Sequence, residues 1–294
     1  MITQPDETQA LTETLIYELV KAFALPRSEL ASRLIRLIFG KAARATAEVG
    51  IGLDCAVAEG GLPGGARWLL PRFVQSHSAC GVENMPASGP LVIASNHPAS
   101  IDSIVISTHV SRPDYKIIIG DIPFFEHLPH LSRQAIFAPD PDNIAGRMQV
   151  MRESIRHLRN GGALLIFPRG SIEPDPAFMP HPDAEFGHWS RSLEIFMQRV
   201  PGLQILITIA SGVIAPSAMR HPITWFRKSR PDRQRLAFMY QLARQMLSGR
   251  EIFGLRPRIT FGEVIAGTNH EHMLAEIEGA AHRTLYQHLK WVHV

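Results

Sequence analysis

After residue 66, short apolar runs alternate with longer segments of helical periodicity, and this alternation restricts the possible folds of the chain. Apolar runs of this length are typical of buried strands, and strands separated by helices form an α/β sheet covered on both faces. The predicted strands are residues 91–95, 115–119, 134–138, 163–167, 203–210 and 257–265. The predicted helices are residues 100–110, 143–160, 187–199, 231–247 and 269–290. We therefore expect an α/β domain.

The first 60 residues have a different pattern, with helical periodicity over residues 8–25 and 28–58. Residues 60–65, four glycines with one leucine and one proline, predict a break in the helix. We therefore predict an N-terminal helical segment over residues 1–62 and an α/β domain over residues 66–294. The second helix carries leucines at 30, 34 and 37 with basic residues near the opposite side. Such a helix lies on a membrane surface or packs on the main domain, and the sequence leaves both open.

Composition excludes several classes of protein. The two cysteines, Cys55 and Cys80, show no disulfide, metal or redox spacing, which favours a reducing compartment. The chain has no uncharged apolar run of 18 residues and no signal-peptide pattern, so we expect a cytoplasmic protein without a membrane-spanning helix. The formal net charge is only +3, and we predict no nucleic-acid partner.

Positive charge is concentrated directly after two aromatic residues, Trp225 and Phe226. Basic residues beside exposed aromatic rings suit an anionic membrane surface or a phosphorylated ligand. A solvated charged surface is the alternative interpretation. The basic residues are Arg227, Lys228, Arg230, Arg233 and Arg235.

His97 and Asp102 follow the predicted strand 91–95 and are candidates for acid–base chemistry. Pro98 favours an extended His97, so a helix begins after it, with Ser100 as the expected N-cap. Asp102 then lies in the first helical turn, and the bend at Pro98 lets the two side chains meet. A carboxylate that holds an imidazole makes the imidazole a general base, here for a hydroxyl of the substrate. A structural His and a capping Asp are the alternative interpretation.

A second polar turn follows another predicted strand, at residues 167–171, Phe-Pro-Arg-Gly-Ser. Gly170 lets backbone N–H groups approach a ligand, and Arg169 offers a guanidinium to an anion. Because parallel strands that end in polar turns form a crevice at one edge of an α/β sheet, we expect both turns to share a site.

These two blocks resemble those of the phospholipid/glycerol acyltransferase family. Residues 96–102 match its N-H-x4-D block, and residues 167–171 match four of the five positions of its F-P-E-G-[ST] block, within a similarity over roughly residues 75–215. The resemblance implies a mixed, mostly parallel sheet flanked by helices. It further implies His97 as general base with Asp102 as its partner. The substrate-binding residues it implies are Asn96, Ser100, Pro168, Arg169, Gly170 and Ser171.

The same resemblance implies the substrates. A fatty acyl group would pass from a thioester donor, acyl-CoA or acyl-ACP, to the hydroxyl of a glycerol phosphate or lysophospholipid. Backbone N–H groups near Gly170 are candidates to bind the oxyanion, and neither a metal nor a redox cofactor is needed. We also expect peripheral attachment to a membrane, through residues 225–235 or the helix near residues 30–44.

Three positions depart from the family pattern. Arg169 replaces a Glu, Ile172 replaces a frequent Arg, and Asp140 stands near the place of a basic residue. Arg133, Arg147 or Arg169 are candidates for the lost phosphate-binding charge, and Glu173 is either a substitute for the missing Glu or a loop carboxylate. An acyltransferase for a non-phosphate lipid and a non-catalytic lipid-binding protein therefore remain alternatives. The sequence leaves acyl-chain length, donor and oligomeric state open.

Overall fold

A single seven-stranded sheet organises the α/β part of the chain. The computed structural model describes residues 5–22, 28–140, 142–189, 191–266 and 272–292. The strands are β1 (Ser78–Cys80), β2 (Leu91–Ser95), β3 (Tyr115–Gly120), β4 (Ala135–Ala138), β5 (Ala163–Ile166), β6 (Gln204–Ser211) and β7 (Arg258–Ala266). All six predicted strands form. Strand β1 was not predicted because it is only three residues long and is not fully buried.

The strand order is β1-β7-β6-β2-β5-β3-β4, which places β2 near the centre of the sheet. Neighbouring strands run parallel except β6 and β7, which pair antiparallel. The predicted mixed, mostly parallel sheet is confirmed. Because β6, β2 and β5 are adjacent and parallel, the turns that follow them meet at one edge of the sheet.

Helices cover both faces of this sheet. The described α-helices are α1 (Pro5–Ala22), α2 (Glu29–Leu69), α3 (Ile101–Ser107), α4 (Pro129–Arg133), α5 (Ile144–Arg159), α6 (Ser192–Arg199), α7 (Pro216–Met219), α8 (Arg230–Ser248) and α9 (Met273–Val292). Alternate residues of β2 enter different cores: Leu91 and Ile93 join a cluster with residues of α2, α3 and α8, whereas Val92 and Ala94 join one with residues of α6 and α9. This burial on both faces explains the continuous apolar run of β2.

The N-terminal helices pack on each other and on the domain. Ile16 and Val20 of α1 form a small core with Ile35 and Ala43 of α2. The expected break at residues 60–65 is narrower than predicted: Gly60 and Gly61 leave helical geometry, and the helix then resumes through Pro63 to Leu69. Residues 23–25 and 269–271 of the predicted helices lie outside the described residues. Among the residues that the structure describes, no helix has the length and apolar character needed to cross a bilayer.

Candidate active site

His97 and Asp102 meet at the edge of the sheet where β2 ends. The Nδ1–H of His97 donates to both carboxylate oxygens of Asp102, at 2.9 Å to Oδ2 and 3.2 Å to Oδ1. Asp102 is fully buried, and its Oδ2 also accepts the N–H of Ala99. A carboxylate can only accept, so the proton resides on Nδ1 and Nε2 is the nitrogen that can take another.

The local chain path follows from Pro98. The segment turns after β2, and α3 begins at Ile101 with Asp102 in its first turn. Ser100 precedes this helix as expected, but its side chain makes no capping bond. Asp102, in the first turn, instead accepts the N–H of Ala99, which precedes the helix. The exposed Ser100 lines the cavity next to His97.

Charges around His97 determine its basicity. Burial lowers the pKa of the imidazole, but the charge and hydrogen bond of Asp102, with the charge of Glu173, outweigh burial. Arg235 of α8 acts in the opposite direction. The resulting pKa lies above the usual value of 6.5, so the imidazole is a stronger base than an isolated histidine.

The turn after β5 lies against His97. The ring of Phe167 stacks on the imidazole, with centroids 4.2 Å apart, whereas Pro168 is buried. Gly170 adopts a φ of 66°, which a residue with a side chain rarely adopts, and it is exposed. Its N–H donates to the carbonyl of Phe167, so that group is not available for an oxyanion.

The side chain of Asn96, a predicted substrate-binding residue, is occupied by hydrogen bonds to β6. Its side chain is 1% exposed, donates to the carbonyl of Ala210 and accepts the N–H of the same residue. The amide therefore joins β2 to β6 at the base of the site. Ser171 lies half-buried in the turn after β5.

Arg169 is engaged in a cluster of charges. Its Nε donates to Glu185 at 2.7 Å, and Arg230 donates to the other oxygen of Glu185 at 3.0 Å. The hydrogen bond and charge of Arg169, with the charge of Arg230, hold the pKa of Glu185 below its usual range. Two guanidinium groups share one carboxylate, so the cluster keeps a net positive charge.

The other positions considered for phosphate binding fall in three different places. Arg133 ends α4, directly before β4, and so lies at the opposite edge of the sheet from His97. Asp140 and Arg147 are exposed beyond the end of β4, the edge strand. Ile172 is buried, and its carbonyl accepts a bond from Arg230.

Among the remaining residues of the site, the sequence singles out Glu173 but not Gln234 or Asp175. Glu173 is fully buried and bonds the backbone of His97, and Gln234 of α8 donates to the carbonyls of Pro98 and Glu173. Asp175, also buried, accepts the N–H groups of Gly212 and the two residues after it. Burial raises the pKa of Asp175, and these bonds oppose the rise. A buried polar residue, in a loop like Asp175 or on a helix like Gln234, does not contribute to the apolar periodicity that identifies helices and strands, so neither residue gave a signal.

An apolar cavity of about 480 Å³ opens next to His97. Most of its walls come from α2, α3, β3 with the turn after it, and α8. They include Val49, Leu53, Ile101, Ile104, Ile117, Ile119, Phe124, Phe238 and Leu242. Helix α2, from the N-terminal segment, thus contributes to the same cavity as the base. Among the described residues, no group of three or more His, Cys, Asp or Glu is arranged to hold a metal ion.

Residues 78–220, which include both polar turns, match the model of the Acyltransferase family. This part of the chain is an acyltransferase domain. The predicted family and the predicted enzyme class are confirmed. Among solved structures, the 1-acyl-sn-glycerophosphate (LPA) acyltransferase PlsC from Thermotoga maritima is similar over 94% of this chain and 95% of its own, with 14% identity and a TM-score of 0.46. No curated protein matches this chain. Helices α2 and α8 of the acyltransferase, which wall the cavity, lie outside the matched residues.

Proposed function

We propose that this acyltransferase moves a fatty acyl group from a thioester donor, acyl-CoA or acyl-ACP, to the hydroxyl of a lysophospholipid or glycerol phosphate, with His97 as the general base. One observation carries the proposal: an imidazole held by a buried carboxylate lines an apolar cavity. The cavity volume is within the range of small-molecule sites, about 300–1,000 Å³. Its apolar walls suit a hydrocarbon chain, which has no polar groups to satisfy.

The proposed reaction begins with the transfer of the acceptor hydroxyl proton to Nε2 of His97. The oxygen attacks the thioester carbonyl, which forms a tetrahedral oxyanion. When the intermediate collapses, the carbon–sulfur bond breaks, and the thiolate takes the proton from the imidazolium. Asp102 stabilises the imidazolium in between. The N–H groups of Arg169 and Ser171 bond no other atom of the described chain and are the candidate oxyanion donors.

Charge supports an anionic acceptor. The Arg169, Arg230 and Glu185 cluster has one positive charge in excess and adjoins the turn that contacts His97. Arginine forks suit phosphate oxygens. Because both guanidinium groups are already paired with Glu185, a lipid acceptor without phosphate is the second candidate, and an acceptor panel separates the two.

We further propose that the protein docks peripherally on the cytoplasmic face of a membrane. Trp225 and Phe226 are 70% and 85% exposed, and Arg227 and Lys228 beside them are exposed as well. Aromatic rings with adjacent basic residues suit an anionic bilayer surface. Helix α2 presents a second apolar stripe, of which Leu37 is 84% exposed. A lipid acceptor offers its hydroxyl at such a surface.

Thiol release from palmitoyl-CoA, with and without lysophosphatidic acid in liposomes, tests the function. We expect release that depends on the acceptor and falls by about 100-fold or more in His97→Ala, the usual scale for loss of a general base. His272→Ala, at an exposed histidine before α9, is the matched control. If neither acyl-CoA nor acyl-ACP is consumed with any lipid acceptor while lipid still binds, the non-catalytic alternative is correct.

A further inference from the structure

We propose that Glu173 is a positioning residue for acyl transfer, which holds the backbone of His97 and whose negative charge stabilises the imidazolium formed during the reaction. The proposal rests on the proposed function of His97. It concerns a buried carboxylate that the reaction described above does not use.

Glu173 fixes His97 from two sides. Its Oε2 accepts the backbone N–H of His97 at 3.2 Å, and its own N–H donates to the carbonyl of His97 at 2.9 Å. Gln234 of α8 then donates to the carbonyls of Glu173 and Pro98, at 2.6 and 2.7 Å. The loop after β5 and the loop after β2 are therefore joined directly at His97. A small displacement of a catalytic base costs up to about 100-fold in rate.

The carboxylate of Glu173 lies in the protein interior. The residue is fully buried, and its Oε1 accepts the indole Nε1–H of Trp189 at 2.8 Å. A buried carboxyl group with only two donors is costly as an anion. Burial accordingly raises the pKa of Glu173 to about 7, although the bonds from Trp189 and His97 and the charge of His97 act against the rise.

Three charged groups surround the pair formed by His97 and Glu173. They are Asp102 in α3, Glu185 in the loop before α6, and Arg235 in α8. Asp102 and Glu173 favour a charged His97, and Arg235 opposes it. The protonation states of His97 and Glu173 are therefore coupled: a proton gained by the imidazole favours the Glu173 anion. During proton transfer this coupling stabilises the state with the imidazolium.

The pH profile of Glu173→Gln tests the proposal, because Gln keeps the volume and removes the charge. We expect kcat to fall by about 10- to 100-fold and the acidic limb of kcat/KM to move to lower pH. Glu83→Gln, at an exposed position after β1, is the matched control and leaves both unchanged. This residue lies at the opposite edge of the sheet, because β1 runs antiparallel to β2.

A second measurement does not depend on activity. The ring signal of His97, in protein with isotope-labelled histidine, is identified by its absence in His97→Asn and followed against pH. We expect its titration to move to lower pH in Glu173→Gln and, by a smaller amount, in Trp189→Phe, which removes a donor to the Glu173 anion. The double variant Glu173→Gln with Trp189→Phe relieves the contact between the Gln amide and the indole N–H, and it serves if the single variant does not fold.

A titration of His97 that stays unchanged in these variants would overturn the proposal, even if activity falls, because a purely structural role leaves the titration in place. A wild-type protein without acyltransferase activity would overturn the proposed function instead. In that case the His97 titration still decides whether Glu173 acts on the imidazole.

Discussion

The Oδ2 atom of Asp102 lies 2.9 Å from Nδ1 of His97, and the carboxylate of Asp102 is fully buried. This bond sets the tautomer of the imidazole and turns Nε2 into its proton acceptor. The carboxylate is itself held by the N–H of Ala99. The arrangement is that of a base supported by an acidic partner, with the nucleophilic hydroxyl left to the substrate.

Asp102→Asn is expected to reduce kcat by about 100-fold or more, because Asn no longer selects the productive tautomer. It also removes the charge that raises the pKa of His97, so that burial, which lowers it, prevails. Since the base must be neutral, the acidic limb of kcat/KM moves to lower pH. Rate profiles of wild type and Asp102→Asn check this, with the exposed Asp142→Asn as control. If the acidic limb of kcat/KM stays in place in Asp102→Asn, the assignment of His97 as the base and Asp102 as its partner is contradicted.

Leu53→Trp is expected to shorten the acyl chains that the enzyme accepts. Leu53 of α2 lines the cavity, and an indole there removes space from its apolar interior. We expect kcat/KM for palmitoyl-CoA to fall by about tenfold or more relative to octanoyl-CoA, because the loss of even one methylene from an apolar pocket has an effect of about that size. Leu247→Trp makes the same change at a residue that is 58% exposed. Equal losses for both donors in Leu53→Trp would place the chain outside this cavity.

The double variant Trp225→Ala, Phe226→Ala is expected to weaken flotation with anionic liposomes at low salt, because both rings are largely exposed beside basic residues. Activity on a water-soluble short-chain acceptor should change little. Tyr286→Ala removes a ring that is 60% exposed on α9 and serves as control. If flotation survives the double variant and is lost in Leu34→Ser, Leu37→Ser, helix α2 is the docking element.

His288 is expected to make the folded state sensitive to acid. Its ring is fully buried between the hydroxyls of Thr260 and Ser211, and burial, aided by the charge of Arg258, lowers its pKa to about 4. Between pH 6.5, its usual pKa, and about pH 4, the unfolded chain takes up a proton that the folded chain does not. The free energy of unfolding therefore falls as pH drops through this window.

At pH 5 this loss is about 2 kcal/mol relative to pH 8. Urea unfolding at both pH values checks it. We expect His288→Asn to be less stable at pH 8 but to lose about 2 kcal/mol less than wild type on acidification. His272→Asn, at an exposed position, should lose as much as wild type. If His288→Asn loses as much free energy of unfolding on acidification as the wild type, groups other than His288 cause the acid sensitivity.

The sequence alone determined six of the seven strands of the sheet and that His97 could reach Asp102. Both follow from local chemistry: a strand such as β2 is a short apolar run, and Pro98 sets the bend over five residues. The polar turn at residues 167–171 is predicted to share the site because it ends a second buried strand, and β5 does lie parallel beside β2. Local signals could not place Gly60 and Gly61 as a kink within a helix that continues to Leu69.

Only the tertiary structure decided what surrounds the base. Arg169 is paired with Glu185, sixteen positions later, and Glu173 contacts His97, seventy-six positions earlier. Gln234 reaches the same loop from α8, and Leu53 of α2 lines the cavity. These contacts depend on the strand order and on how the helices pack on the sheet. A polar residue in a loop has no periodic pattern of its own, because its role comes from partners that are distant in the chain and near only once the sheet has formed.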